Sequence, residues 1–512
     1  MRGKLCLLGI GMAAVVSAQS IPDSGLTFEL VEVATVPDSA SGNSAPPRIS
    51  VVTQDPMGEL FANDQRGPLY HIDESSGVVT EFLDLRDYPT IPVTSTFEAG
   101  FQAFAFHPDF YESEADGYGC FYTIHSCSNT TPTPDFDTSG SAGFHTLLLE
   151  WKAAGPGATT FTPANPSTPF REVMRLDQPY GNHNAGLIAF NPTVTPGDSD
   201  YGMLRISIGD GGSGNDPQNN GQTLSNPFGA ILRIDPLGND SANGAYGIPA
   251  NAFATDMSAG TLAENYCVGL RNPQRFGWDL VTGEAFIADI GQNLFEEINQ
   301  MADGSNFGWK GWNPGDGDSG NVAFVDPVAG YFHGTGFASP AITTGSKAVT
   351  CGEVSRGACI TGLEGVLMVA DFPNGRVFRL NVDTDPLDGG IDGLDEIRFK
   401  DGPSGSRSTF LDLINSVRDS RGLSDASRTD IRFSVNTPGR IFLSNKQDGV
   451  IRRMVPNEEP AIDLAADGTL EFNGILQVSD DLLDWQDVIP QPEQGEAADV
   501  SAPRRFYRSV RR

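Results

Sequence analysis

The chain has 512 residues, with 66 Asp and Glu against 33 Lys and Arg, and a formal net charge of −33. A field of that sign repels nucleic acid and anionic membranes, which argues against both as partners, and it keeps a protein dissolved even in a salty medium. With 39% hydrophobic and 9% aromatic residues the chain can bury a core, so disorder is not its default state.

The first stretch, MRGKLCLLGIGMAAVVSAQS, has a basic start at Arg2 and Lys4, an apolar middle and small residues before Gln19. It reads as a secretory signal peptide over residues 1–18, which places the mature chain in the periplasm or outside the cell. No later run reaches the ~18 apolar residues of a membrane helix, so no membrane span is expected. Of the cysteines left after Cys6, the close pairs Cys120 with Cys127 and Cys351 with Cys359 read as local disulfides for an oxidising compartment, with Cys267 over as a buried thiol.

From Arg48 onward a short alternating apolar run, a turn rich in Asp, Gly, Asn or Pro, and a second such run recur. Examples are FQAFAFHPDF with GYGCFYTIHS, YGMLRISIGD with AILRIDP, and IRFSVNTPGRIFLSNKQDGVIRRMVP. Period-two alternation broken by turn residues predicts half-buried antiparallel strands, and about six such units predict an all-β, propeller-type fold over residues 22–456. No long stretch keeps a helical period. Residues 457–512 read as a linker and a small C-terminal β-rich extension, too short to bury much core alone.

Three stretches carry candidate chemistry. GNHNAGLIAF sets His183 among small polar residues just ahead of an apolar run. The loop SIGDGGSGNDPQNNG, residues 207–221, formally matches a dinucleotide fingerprint, but turn residues follow where a helix should open, and Asp210 and Asp216 would oppose a phosphate. A structural loop or a hard-cation site with Asp210 as a ligand fits it better. In GLRNPQRFGWD, Arg271 and Asn272 precede a strand and would sit at one end of a sheet; a guanidinium there suits carboxylates or oxyanions, or a structural ion pair. No G-x-S-x-G elbow and no H-E-x-x-H helix is present, and in so acidic a chain a glycosidase carboxylate pair has no identifiable position.

Taken in order, GFQAFAFHPDF, HNAGLIAFNP, SIGDGGSGNDPQNNGQ, FGAILRIDP, GLRNPQRFGWD, ADIGQNLFEEIN and SNFGWKGWNP resemble the glucose/sorbosone dehydrogenase family of quinoprotein sugar dehydrogenases, from about residue 100 to 456. The resemblance implies a six-bladed β-propeller that oxidises an aldose at its anomeric carbon with pyrroloquinoline quinone (PQQ) and calcium, passing electrons to a separate acceptor, a cytochrome or quinone. It implies His183 as the general base, Arg271 as a further catalytic group, and Arg271, Asn272 and Arg428 as cofactor contacts. The backbone carbonyls of Gly291 and Gln292 are then the calcium ligands. Two departures stand out. The family's cofactor-binding lysine falls on Pro373 or Asn374, with Arg376, Lys347 and Arg356 as nearby replacements, and the acid preceding the base is Asn182, which would leave the imidazole without an ionic neighbour. Two other readings stay open: a propeller that binds carbohydrate or protein without turnover, and a calcium-dependent sugar lactonase.

Overall fold

The computed structural model describes residues 20–455, apart from 41–44, 139–141, 256–259, 312–323, 334–335, 338–346, 358–359, 402–404 and 437–438, together with five short strands after residue 461. The expected signal peptide and Cys359 lie outside the described residues.

The chain forms an all-β, propeller-like fold. Four sheets are four-stranded antiparallel meanders: sheet I from Ile49–Gln54 to Val79–Asp84, sheet II from Phe101–Phe106 to Phe170–Asp177, sheet III from Ala185–Phe190 to Asn265–Val268, and sheet IV from Arg275–Trp278 to Ala329–Phe332. A fifth sheet has nine strands. One half runs Val349–Ser355, Val366–Asp371, Arg376–Asn381, Asp395–Asp401; the other runs Arg432–Asn436, Arg440–Ser444, Val450–Val455. The 13-residue strand Asp23–Thr35 joins them, parallel to Asp395–Asp401 at Asp23↔Glu396 and antiparallel to Val450–Val455 from Glu29↔Val455 onward. The sequence pattern anticipates six separate sheets; one shared strand merges the last two.

The first strands of the sheets, Ile49–Gln54, Phe101–Phe106, Ala185–Phe190, Arg275–Trp278, Val349–Ser355 and Arg432–Asn436, each pack against the next, and the last packs against the first, closing a ring around a central axis. These strands differ from the half-buried expectation. FQAFAF is buried at every position, because each sheet packs face to face between two others. Between sheets I and II the filling is aromatic, with Phe61 4.7 Å from Phe106, Phe82 5.6 Å from Phe121, and Phe121 stacked on Trp151 at 6.2 Å.

The Cys120–Cys127 disulfide is not formed. The two residues open and close one eight-residue strand, which sets them roughly 23 Å apart at ~3.3 Å per residue, beyond the ~7 Å a disulfide tolerates. Cys351 is a buried thiol beside the carbonyls of Arg275 and Phe286, and Cys267 is buried as expected. Burial pushes both thiols up to about 12.

An 11-residue helix, Phe410–Ser420, departs from the expected absence of helices. Its signal is a capping box: Asp412 N–H donates to the Thr409 hydroxyl at 3.3 Å while the Asp412 carboxylate accepts from Thr409 N at 2.8 Å. Phe410 and Ile414 anchor it on the fifth sheet. Thr409→Ala is expected to cost about 1 kcal/mol in urea unfolding. No helix among the described residues is long and apolar enough to cross a membrane. Past residue 461, Ile462–Leu464 pairs with Leu470–Phe472, and Ile475–Ser479 lies between Gln486–Asp487 and Phe506–Val510.

Candidate active site

Antiparallel order places the start of each first strand and the end of each second strand on the same side of the ring. Arg48, Glu98, His183, Arg271, Lys347 and Arg428 stand just ahead of first strands, and Asp64, Asp210, Asp289 and Asp371 stand at or just past the ends of second strands. The aspartates tie this face together. Asp64 accepts from Arg48 N at 3.1 Å, and Asp289 accepts from Arg271 N at 2.8 Å and Asn272 N at 2.6 Å.

His183 sits in this ring with a left-handed backbone (φ 51°), a conformation that costs a non-glycine residue about 1 kcal/mol or more. Glu98 holds it there by accepting its backbone N–H at 2.8 Å. The ring Nδ1–H donates to Asp210 Oδ1 at 2.6 Å, and both side chains are buried. Close approach depends on Gly209, where a Cβ would lie 2.8 Å from that of His183. Asp210 is itself fixed, accepting from Gly212 N and from Trp309 Nε1, each at 2.9 Å. With Nδ1 committed as donor, Nε2 is the ring nitrogen that carries a lone pair, and it has no hydrogen-bond partner among the described residues.

Asp210 therefore supplies the ionic neighbour that Asn182 does not; Asn182 Oδ1 accepts from Ser213 N instead. The same bonds leave Asp210 turned toward protein donors rather than toward a cation. Among the described residues no group of three His, Cys, Asp or Glu could hold a metal.

Arg271 adjoins this pair, its carbonyl accepting Asp210 N–H at 2.8 Å. Its Nη1 donates to the carbonyls of Ile290 and Gly291, each at 2.9 Å, and its guanidinium lies 5.6 Å from the Trp309 ring. The Gly291 carbonyl thus faces a cation already in place, and the Gln292 side chain accepts from Asn215 N. Arg271 Nε and the side-chain oxygens of Asn272 and Asn184 are buried with no partner among the described residues, a set of unused donors and acceptors on one face. A cleft of about 180 Å³ opens here between Arg271, Asp289, Gln292 and Trp309.

Arg428 stands ahead of the first strand Arg432–Asn436 on the same face. Its guanidinium lies 4.6 Å from the ring of Phe97, the neighbour of Glu98, and bonds Asp430 at 2.8 Å. It lines a basin of about 540 Å³ with Arg48, Arg66, Arg418 and Lys446, against one carboxylate, Asp430. Burial, with Arg432 adding repulsion, pushes the Lys446 ammonium well below its ordinary value. Arg376 pairs with Asp371 across the sheet, but its guanidinium is buried against Glu396, and Arg356 bonds Asp279 and Asp383. Asn374 bonds Asp371 at 2.6 Å.

Burial raises Asp371 to about 6, against the pull of Lys347 and the bonds from Asn374. A carboxyl raised on folding stabilises the protein while protonated, and that contribution fades as pH climbs from the ordinary aspartate value near 4 through about 6. Melting temperature against pH is expected to fall across that window more steeply in the wild type than in Asp371→Asn.

A ring of sheets carrying an aspartate-oriented histidine among arginines defines a propeller-like protein with one polar, cation-rich face. The glucose/sorbosone dehydrogenase family matches residues 46–392, and the chain belongs to it. Arg428 lies past that match. HIPL1 protein of Arabidopsis thaliana is 28% identical over 308 residues, which cover 51% of this chain and 42% of that protein; the chain thus spans under half the length of this curated relative. Among solved structures, the PQQ-bound aldose sugar dehydrogenase of Streptomyces coelicolor superposes with a TM-score of 0.50 at 19% identity, over 85% of this chain and 99% of that one. The apo soluble aldose sugar dehydrogenase of Escherichia coli gives 0.51 at 16%, over 84% and 99%. At these identities the likeness is one of fold.

Proposed function

We propose that the chain is an exported, six-bladed propeller that oxidises aldose sugars, the nine-stranded sheet being two blades that share Asp23–Thr35. The observation that carries this reading is the Asp210–His183 pair, which leaves Nε2 as a proton acceptor beside Arg271, on the face that also carries the cationic basin. Family membership supports the substrate class.

The residues present suit an anionic quinone such as PQQ. Its three carboxylates need cations, which Arg48, Arg66 and Arg428 offer, and Arg271 Nε and Asn272 Oδ1, unpartnered among the described residues, need partners. When bound, PQQ supplies the acceptor for the hydride that leaves the anomeric carbon. His183 Nε2 takes the proton of the anomeric hydroxyl, so that the sugar leaves as its lactone, and Asp210 keeps the ring in the tautomer this requires. The loop at Gly291 and Gln292 does not suit calcium as arranged, because Arg271 occupies the carbonyl of Gly291, and no step is assigned to the metal.

Purified protein supplied with PQQ, with and without calcium, is expected to reduce a redox dye when an aldose is added. PQQ binding without aldose-dependent reduction would overturn the catalytic reading in favour of a binding propeller, and hydrolysis of a sugar lactone without PQQ would favour a lactonase. Electron delivery to a separate cytochrome or quinone belongs to the same reading.

A further inference from the structure

The central axis contains a second arrangement, which starts beneath the His183 face and opens toward the opposite side of the ring. Arg275 opens the first strand of sheet IV, and the residue is 6% exposed. It crosses the axis to the first strand of sheet I, diametrically opposite in the ring, where Nη2 donates to the carbonyl and hydroxyl of Ser50 at 2.8 and 3.2 Å. Nη1 donates to the carbonyl of Gln274 at 2.5 Å. These bonds leave Nε–H and one Nη1 hydrogen without an acceptor among the described residues, and no carboxylate there bonds this guanidinium. Its charged neighbours are cations too, Lys446 and Arg432, of which Arg432 is bonded to the side chain of Gln274 at 3.1 Å and has a buried Nε without a partner among the described residues.

A buried guanidinium with no anion is costly, and here it borders open space. From Arg275 and Ser50 a cavity of about 370 Å³ runs down the axis to the far ends of the first strands, a volume within the roughly 300–1,000 Å³ typical of small-molecule sites. Its walls are largely apolar, with Val52, Phe104, Ile188, Phe190, Phe276 and Phe433, and carry the polar side chains of Thr53, Gln54 and Asn191 as well. At the mouth stand two carboxylates, Asp55 and Glu353. The inner end therefore asks for one negative charge with acceptor oxygens, the walls ask for hydrocarbon, and the mouth disfavours further negative charge.

We propose that this lower half of the axial channel is a second ligand site, which takes a monocarboxylate with a short aliphatic or aromatic body, its head on Arg275 and its body among the phenylalanines. A phosphate dianion fits worse, because Arg275 offers a single charge at the inner end and Asp55 and Glu353 at the mouth repel a second negative charge. The site is separate from the cationic basin, since Arg275 and the Gln274-bound Arg432 stand between them.

Titration calorimetry of the full-length mature protein with sodium octanoate tests this. Saturable binding of one octanoate per chain is expected, at least about tenfold weaker for octanamide, which keeps the shape and loses the charge. Arg275→Gln should weaken octanoate by a similar factor. Ala189→Trp, which fills the cavity wall without touching Arg275, should abolish binding of both compounds. Arg428→Gln, on the opposite face, should leave octanoate binding unchanged. Absence of saturable octanoate binding, equal affinity for octanamide, or loss of binding in Arg428→Gln would each overturn the proposal. If Arg275→Gln fails to fold, the octanamide comparison and Ala189→Trp decide it alone.

Discussion

Replacing His183 by glutamine is expected to lower kcat of the PQQ-supplied protein by about 10²–10⁴-fold, the usual span for loss of a positioned general base. Glutamine can still donate to Asp210, so the buried carboxylate keeps a partner and the melting temperature should move by only a few degrees. Asp210→Asn is the sharper probe. The new amide donates to Nδ1, which moves the ring proton to Nε2 and removes the lone pair that accepts from the sugar, while leaving the imidazole in place. Its kcat should fall by a comparable factor with KM little changed. If Asp210→Asn keeps wild-type kcat, the pair is structural and His183 is not the base.

The largest effect on stability is expected at Glu396. Its carboxylate is fully buried and serves two guanidiniums, that of Arg376, also fully buried, and that of Arg398 at 3.0 Å. Glu396→Ala removes the buried carboxylate that both guanidiniums share, and breaking a buried ion pair from one side costs about 3–5 kcal/mol. The adjacent Asp395 pairs with Arg379 at 2.6 Å near the surface, where such pairs contribute about 0–1 kcal/mol. Urea unfolding of Glu396→Ala beside Asp395→Ala separates the two. Similar losses for both would mean that burial at Glu396 is not what matters.

Much of this architecture was legible in the sequence. Alternating runs such as RISI and AILRI marked their strands because a two-residue period admits little else, and RNPQRF placed Arg271 and Asn272 ahead of a first strand. Partners in space were harder to read. Asp210 lies 27 residues from His183, and only the pairing of Ala185–Phe190 with Leu204–Ile208 brings them together, so sequence adjacency points to Asn182 instead. Arg376 and Arg356 looked available as cofactor cations because their acidic partners come from other strands. The close spacing of Cys120 and Cys127 suggested a bridge, whereas an extended strand turns seven residues into distance. The helix at Phe410–Ser420 is short enough that its cap is a stronger signal than its period.

The strand Asp23–Thr35 pairs with residues some 370 to 430 positions later in the chain. Emerging early from the ribosome, it has no partner until nearly the whole ring exists, so it must wait unpaired while the meanders, built from neighbours, assemble around it. Closing a loop of that length is entropically slow, and topologies dominated by such distant pairings fold late. Ring closure should then be the final kinetic event, and an exposed, partnerless strand the feature of the unfinished chain most prone to association with other molecules.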